Sequence, residues 1–166
     1  MLALGVQGGA RFREEDLRYQ RIIIMTDADV DGAHIASLLI TFFYHSMPDM
    51  IRAGKLYLAL PPLYRISHGA TTVYARDDDH KDELLATTFK GKKPEIGRFK
   101  GLGEMMPAQL KETTMDPGKR TLARVTLPRD EEDVANLVET LMGRKPELRF
   151  RFIQENAEFA VADLDV

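Results

Sequence analysis

The chain has 166 residues, a formal charge of −3 and no cysteine. It is long enough for one ordinary domain or two small ones, and disulfides and thiolate zinc sites are excluded. An apolar share of 44% with a charged share of 30% describes a globular protein rather than a disordered one, and the net charge argues against polyanion binding over the whole surface while leaving room for a local basic strip.

Residues 1–20 carry Gly5, Gly8, Gly9 and a charged patch from Arg11 to Arg18, the pattern of a loop with a short helical piece. No basic segment followed by a long apolar run opens the chain and no stretch is long enough to span a membrane. With the lack of cysteine, this points to the cytoplasm.

Next comes Ile22-Ile23-Ile24-Met25-Thr26-Asp27-Ala28-Asp29-Val30-Asp31-Gly32. The β-branched run suits a strand buried on both faces, and in open α/β sheets ligands bind beyond the carboxyl ends of such strands. If the chain stays extended, Asp27, Asp29 and Asp31 point to one side. Three like charges there need a cation, hard oxygen ligands favour Mg²⁺ or Ca²⁺, and Gly32 lets the backbone turn. An EF-hand loop shares this spacing but needs a glutamate where Leu38 stands and a helix where the isoleucines stand. A phosphatase of the haloacid dehalogenase type also places two such aspartates after a strand; this chain lacks the downstream Gly-Asp pair of that family.

After Gly32, the residues Ile35, Leu38, Leu39, Phe42 and Phe43 fall on one face of a helix, which is expected to be core. His34 sits in its first turn beside the carboxylates. A short helix to Gly54 and a strand from Lys55 to Leu60 follow, and Pro61-Pro62 break the chain. Leu63 to Ser67 and Thr72 to Ala75 are expected to pair around His68-Gly69, with a helix over Asp77 to Thr87. From Lys90 to Lys100 five cations stand against one carboxylate, and the strip runs into Gly101-Leu102-Gly103-Glu104, where small residues let backbone approach a phosphate; a solvated basic loop is the plainer reading. A helix after Pro107, a turn at Met115 to Gly118 and a strand through Val125 come next. Pro128 to Asp133 load acids onto a helix amino end, Gly143 fits its C′ position, and a last helix runs from about Pro146 to Phe159.

These residues carry a resemblance. Ile22 to Ile35 (IIIMTDADVDGAHI), Pro61 to Tyr64 (PPLY), Arg98 to Met105 (RFKGLGEM), Glu112 to Pro117 (ETTMDP), Leu141-Met142-Gly143 and Gln154 to Ala157 stand in the order seen in the carboxyl-terminal part of the B-type subunits of bacterial type IIA DNA topoisomerases. Ala59 to Ile66 and Arg98-Phe99 resemble the topoisomerase IV kind more than the gyrase kind.

The resemblance implies an α/β fold: a partial Toprim domain with a parallel sheet over residues 1–60, and a smaller α+β tail over 61–166 that packs back against it. It implies Asp27 and Asp29 as catalytic acids and Mg²⁺ ligands, and Asp31 as a further ligand or an acid behind them. His34, Arg98, Lys100 and Arg149 would lie against DNA backbone. The implied partners are double-stranded DNA and an A subunit, which supplies the attacking tyrosine in a heterotetramer at the nucleoid, so Tyr19, Tyr44, Tyr57, Tyr64 and Tyr74 are structural. ATP would act only through an amino-terminal domain outside these residues. The family's upstream glutamate, in a Glu-Gly-Asp-Ser-Ala setting, has no counterpart here. The chain is therefore expected to be a fragment beginning inside the Toprim domain, inactive alone, with an exposed apolar sheet edge. A fragment that only binds DNA or the A subunit is the alternative, and a metal-dependent phosphohydrolase a weaker one.

Overall fold

The computed structural model describes residues 1–27, 29–128 and 131–160. The opening segment forms three single 3₁₀ turns, at Leu2–Leu4, Gly9–Arg11 and Glu14–Asp16, instead of one helical piece. Strand β1 (Ile22–Ile24) then leads into α1 (Val30–Ser46), α2 (Pro48–Arg52) and β2 (Leu56–Ala59). β1 and β2 pair in parallel, with Ile22 opposite Leu56, so the helices form the crossover that parallel strands require. Pro48 at the first position of α2 costs no hydrogen bond, since the first amide of a helix has no partner within it.

Beyond Pro61-Pro62 the chain builds a second, antiparallel sheet. Its strands are β3 (Tyr64–His68) and β4 (Thr71–Ala75), joined by the expected hairpin. Helix α3 (Asp78–Ala86) follows, and Asp77 caps it by accepting from the His80 amide at 2.8 Å. Strand β5 (Glu95–Arg98) then pairs on the other side of β3, giving the order β4-β3-β5. The basic strip is therefore partly a strand. All four residues of β5 are exposed, so no apolar alternation marks it in the sequence; the pairing with β3 makes it.

The short helix α4 (Pro107–Leu110) runs into a π-helical turn at Lys111–Met115, and β6 (Leu122–Arg124) returns to pair antiparallel with β2. The first sheet is thus mixed, in the order β1-β2-β6, and a strand from the tail crosses the division drawn at residue 60. The architecture is α/β with a parallel pair at its heart. Helices α5 (Glu131–Met142) and α6 (Pro146–Ala160) pack on each other. Gly143 follows α5 where expected but without the left-handed backbone of a C′ glycine. Of the acids read as its amino end, Asp130 lies outside the described residues, as does Arg129.

Each sheet has its own core. The first joins Val6, Ile24, Ala36, Phe43, Met47, Met50, Ile51 and Leu56, and the second joins Tyr64, Ile66, Ala75 and Phe89. One expectation fails here. The buried residues of α1 are Gly32, Ala36 and Phe43, continued by Met47 at its carboxyl cap, with Ile40 half-buried; of the expected stripe only Phe43 is buried, whereas Ile35, Leu38, Leu39 and Phe42 are exposed. Both stripes have helical spacing, and α1 is apolar on two neighbouring faces. Only the narrower face, with its small residues, meets the sheet.

In the second core the Tyr64 hydroxyl donates to Asp78 Oδ1 at 2.9 Å, and Lys81 both pairs with Asp78 and stands over the Tyr64 ring, 4.8 Å from its centroid. The bond to Asp78, followed by burial, raises the pKa of Tyr64 above that of a free tyrosine, while Lys81 and then Tyr64 lower that of Asp78. A raised tyrosine pKa contributes stability that is complete below the unfolded value near 10 and lost as pH rises through the folded value. A lowered carboxyl pKa contributes stability present above the unfolded value and lost as pH falls through the folded one. Tyr64→Phe should remove the alkaline loss contributed by this hydroxyl and lower Tm by about 2–4 °C at neutral pH, read by thermal melts between pH 6 and 11. An unchanged Tm would show that the hydroxyl gains nothing from Asp78.

Candidate metal centre

β1 stops at Ile24, and the backbone is extended again at Asp29, with φ −97° and ψ 179°. There the extension ends. Asp29 is the N-cap of α1, its Oδ1 accepting from the Gly32 amide at 2.7 Å, so Asp31 already lies in the first helical turn. The alternation argument therefore does not hold for Asp31. Gly32 is not a free turn residue either. A Cβ there would stand 2.1 Å from the Asp27 carbonyl oxygen, so only glycine lets the helix start this close to the acidic turn.

Asp27, Asp29 and Asp31 line one open cavity of about 420 Å³ with Gly32, Ile35 and Leu102. Asp27 and Asp29 also wall a neighbouring cavity of about 380 Å³, which Leu58 and Ala59 of β2 line together with Pro61 and Leu63. Among the described residues no group of three or more His, Cys, Asp or Glu is placed to hold one ion together. The acids share a cavity without forming a three-carboxylate cage.

A long-range contact completes the centre. The Leu102 amide donates to Asp27 Oδ1 at 2.6 Å across 75 residues, and Glu104 Oε2 accepts from the Lys100 amide at 2.8 Å. The Gly-Leu-Gly turn thus closes on the acidic turn. The only signal for it in the sequence is a pair of glycines after a basic run, which reads as an approach to phosphate; the backbone here approaches a carboxylate.

The expected DNA contacts fall in three places. His34 is exposed in the first turn of α1, and Arg98 ends the exposed edge strand β5, two residues before Lys100, which directly precedes the turn held on Asp27. Arg149 is elsewhere, on α6, where its Nη1 donates to the Leu141 carbonyl near the end of α5 at 2.8 Å. That bond ties the two helices together and engages part of the guanidinium.

Two family descriptions match separate stretches of the chain: the Toprim domain over residues 3–60, and the carboxyl terminus of the DNA gyrase B subunit over residues 91–154. The B subunit of DNA topoisomerase 4 from Caulobacter vibrioides is 82% identical over 166 residues, covering 100% of this chain and 24% of that protein. The chain belongs to the type IIA topoisomerase B-subunit family. Within that family, the corresponding topoisomerase 4 protein of Bartonella bacilliformis is 68% identical, over 96% of this chain and 23% of the relative. The DNA gyrase B subunit of Treponema denticola is 49% identical, over 97% and 25%. The chain is thus more similar to these topoisomerase IV proteins than to this gyrase protein, and it spans about a quarter of their length. The Toprim match ends just after β2, and the gyrase match begins before β5, so the acidic turn and the Gly-Leu-Gly turn fall in different matched stretches and meet in space. Among the described residues no helix is long and apolar enough to cross a membrane.

Proposed function

We propose that this chain is the Mg²⁺-holding, DNA-contacting part of a B subunit of the topoisomerase IV kind, which cuts and reseals double-stranded DNA together with an A subunit that carries the attacking tyrosine. The carrying observation is the closure of the Gly-Leu-Gly turn on Asp27, which sets a basic segment against the acidic one. Asp27 and Asp29 would hold the ion. Each gives one carboxylate oxygen to a backbone amide and keeps another for a cation, and two carboxylates with room for water and phosphate oxygens suit Mg²⁺, which rarely has an all-protein cage. Bound there, Mg²⁺ would neutralise the scissile phosphate and the leaving 3′ oxygen. Asp31, which lines the same cavity, would add negative charge. Arg98, Lys100, His34 and Arg149 would neutralise backbone phosphates, and ATP would be used by another part of a full-length subunit working in the cytoplasm at the nucleoid.

A second reading, binding to DNA or the A subunit without turnover, is supported by the lack of a third acid placed with Asp27 and Asp29 among the described residues. One experiment separates the two. Purified A subunit, supercoiled plasmid, Mg²⁺ and ATP are added to this chain, and cleaved and relaxed DNA are measured. Trace cleavage that requires Mg²⁺ and Asp27, without steady relaxation, supports the first reading. DNA binding with no cleavage supports the second, and steady ATP-dependent relaxation overturns the assignment of ATP use to another part of the full-length protein.

The basic segment carries its own prediction. DNA association should be sequence-indifferent and weaken with salt, because phosphate contacts release counterions. Lys100→Ala should reduce the slope of log K against log salt by about one unit. An unchanged slope, measured by fluorescence anisotropy, would place Lys100 away from DNA.

A further inference from the structure

We propose that Gly101 and the Leu102 amide are positioning groups for Asp27, a clip that fixes which carboxylate oxygen is offered to a cation. The inference rests on the reading of Asp27 as a metal ligand and adds how that ligand is set. The Leu102 amide takes Oδ1 at 2.6 Å, so Oδ2 is the oxygen free of that bond and would be the one Asp27 offers to a cation. Gly101 makes the contact sterically feasible: a Cβ there would stand 2.9 Å from Asp27 Cγ and 3.0 Å from Oδ1. Its backbone is extended, with φ −165° and ψ 173°, a conformation any residue adopts. The demand for glycine therefore comes from the carboxylate and not from the chain's own geometry.

Gly103, two residues on in the same turn, provides the contrast. A Cβ on Gly103 meets nothing within 4 Å, and its φ is not positive. The two glycines of one motif thus have different reasons to exist, and only one concerns Asp27. Glu104 adds a second bond within the turn by accepting the Lys100 amide, and Lys100 directly precedes Gly101 in the chain. The clip therefore links a phosphate-binding cation to a metal-binding acid, two groups that the reaction needs on the same phosphodiester.

The test uses this chain as it stands, with amide exchange at Leu102 read by NMR and Mg²⁺ affinity by calorimetry. Gly101→Ala should raise Leu102 exchange by about tenfold and weaken Mg²⁺ by about 10–100-fold, the range for losing a group that orients a ligand. Gly103→Ala should change neither. If Gly101→Ala does not fold, Glu104→Ala replaces it: it adds no bulk against Asp27, loosens the turn from the Lys100 side, and should shift both readouts in the same direction by a smaller factor. Equal effects from Gly101→Ala and Gly103→Ala would overturn the proposal. So would Mg²⁺ affinity that stays at the wild-type level while Leu102 protection is lost. Should wild type take up no Mg²⁺ while Asp27→Ala and Gly101→Ala both expose the Leu102 amide, the contact stands and the metal reading of Asp27 fails by itself.

Discussion

Asp27→Asn combined with Asp29→Asn should abolish measurable Mg²⁺ binding while leaving the fold intact, and any A-subunit-dependent cleavage should fall by about 10²–10³, the scale for losing one stabilising contact in a transition state. The substitutions are chosen for what they keep. Asparagine retains an oxygen that can accept the Leu102 amide in place of Asp27 and the Gly32 amide in place of Asp29. It is also as good an N-cap as aspartate, so α1 should start where it does now. What is lost is two negative charges facing one cavity. Calorimetry with Mg²⁺, run beside thermal melts, measures both halves. Equal Mg²⁺ binding in wild type and the double variant would remove the site, and a collapse of Tm would show that the carboxylates serve the fold first.

What is legible in the sequence has a common physical origin. The isoleucine run ending in acids, the helix start at Asp77 and the hairpin around Gly69 are each decided within a few residues, by propensity and turn geometry. The elements that escape are decided by distant partners. β5 has no apolar alternation and exists because β3 offers it an edge. The apolar stripe read on α1 is real in spacing, but which face becomes core depends on what lies opposite, and a residue as small as Ala36 joins the core with Ile24 and Leu56 of the sheet. Grouping Asp31 with its neighbours presumes an extended chain, and the Asp29 cap starts the helix first. The contact of Leu102 with Asp27 spans the whole second sheet in sequence. Local reading locates both turns without showing that they touch.

The uncovered face of α1 leads to the second large effect. Val30, Ile35, Leu38, Leu39 and Phe42 are 79%, 50%, 50%, 40% and 44% exposed, a contiguous apolar band of the kind that a helix carries when it is enclosed on more than one side. β1 lies at the end of its sheet order among the described residues, so one strand edge is open as well. This isolated chain should therefore self-associate. Side chains already half out of water yield only about 1 kcal/mol each on burial, and the five from each of two such faces, about 10 kcal/mol together, fall inside the roughly 4–15 kcal/mol cost of bringing two molecules together. The association is thus expected to be weak, visible at high micromolar to millimolar concentration and not at nanomolar. Leu38→Glu with Phe42→Glu should return the chain to monomer at the same concentration. The helix should survive, because neither side chain belongs to the core around Phe43 and Met47. Sedimentation equilibrium with circular dichroism decides it: a wild-type chain that stays monomeric at millimolar concentration would show that the apolar face of α1 does not drive association, and a double variant that loses helicity would show that the face supports the fold after all.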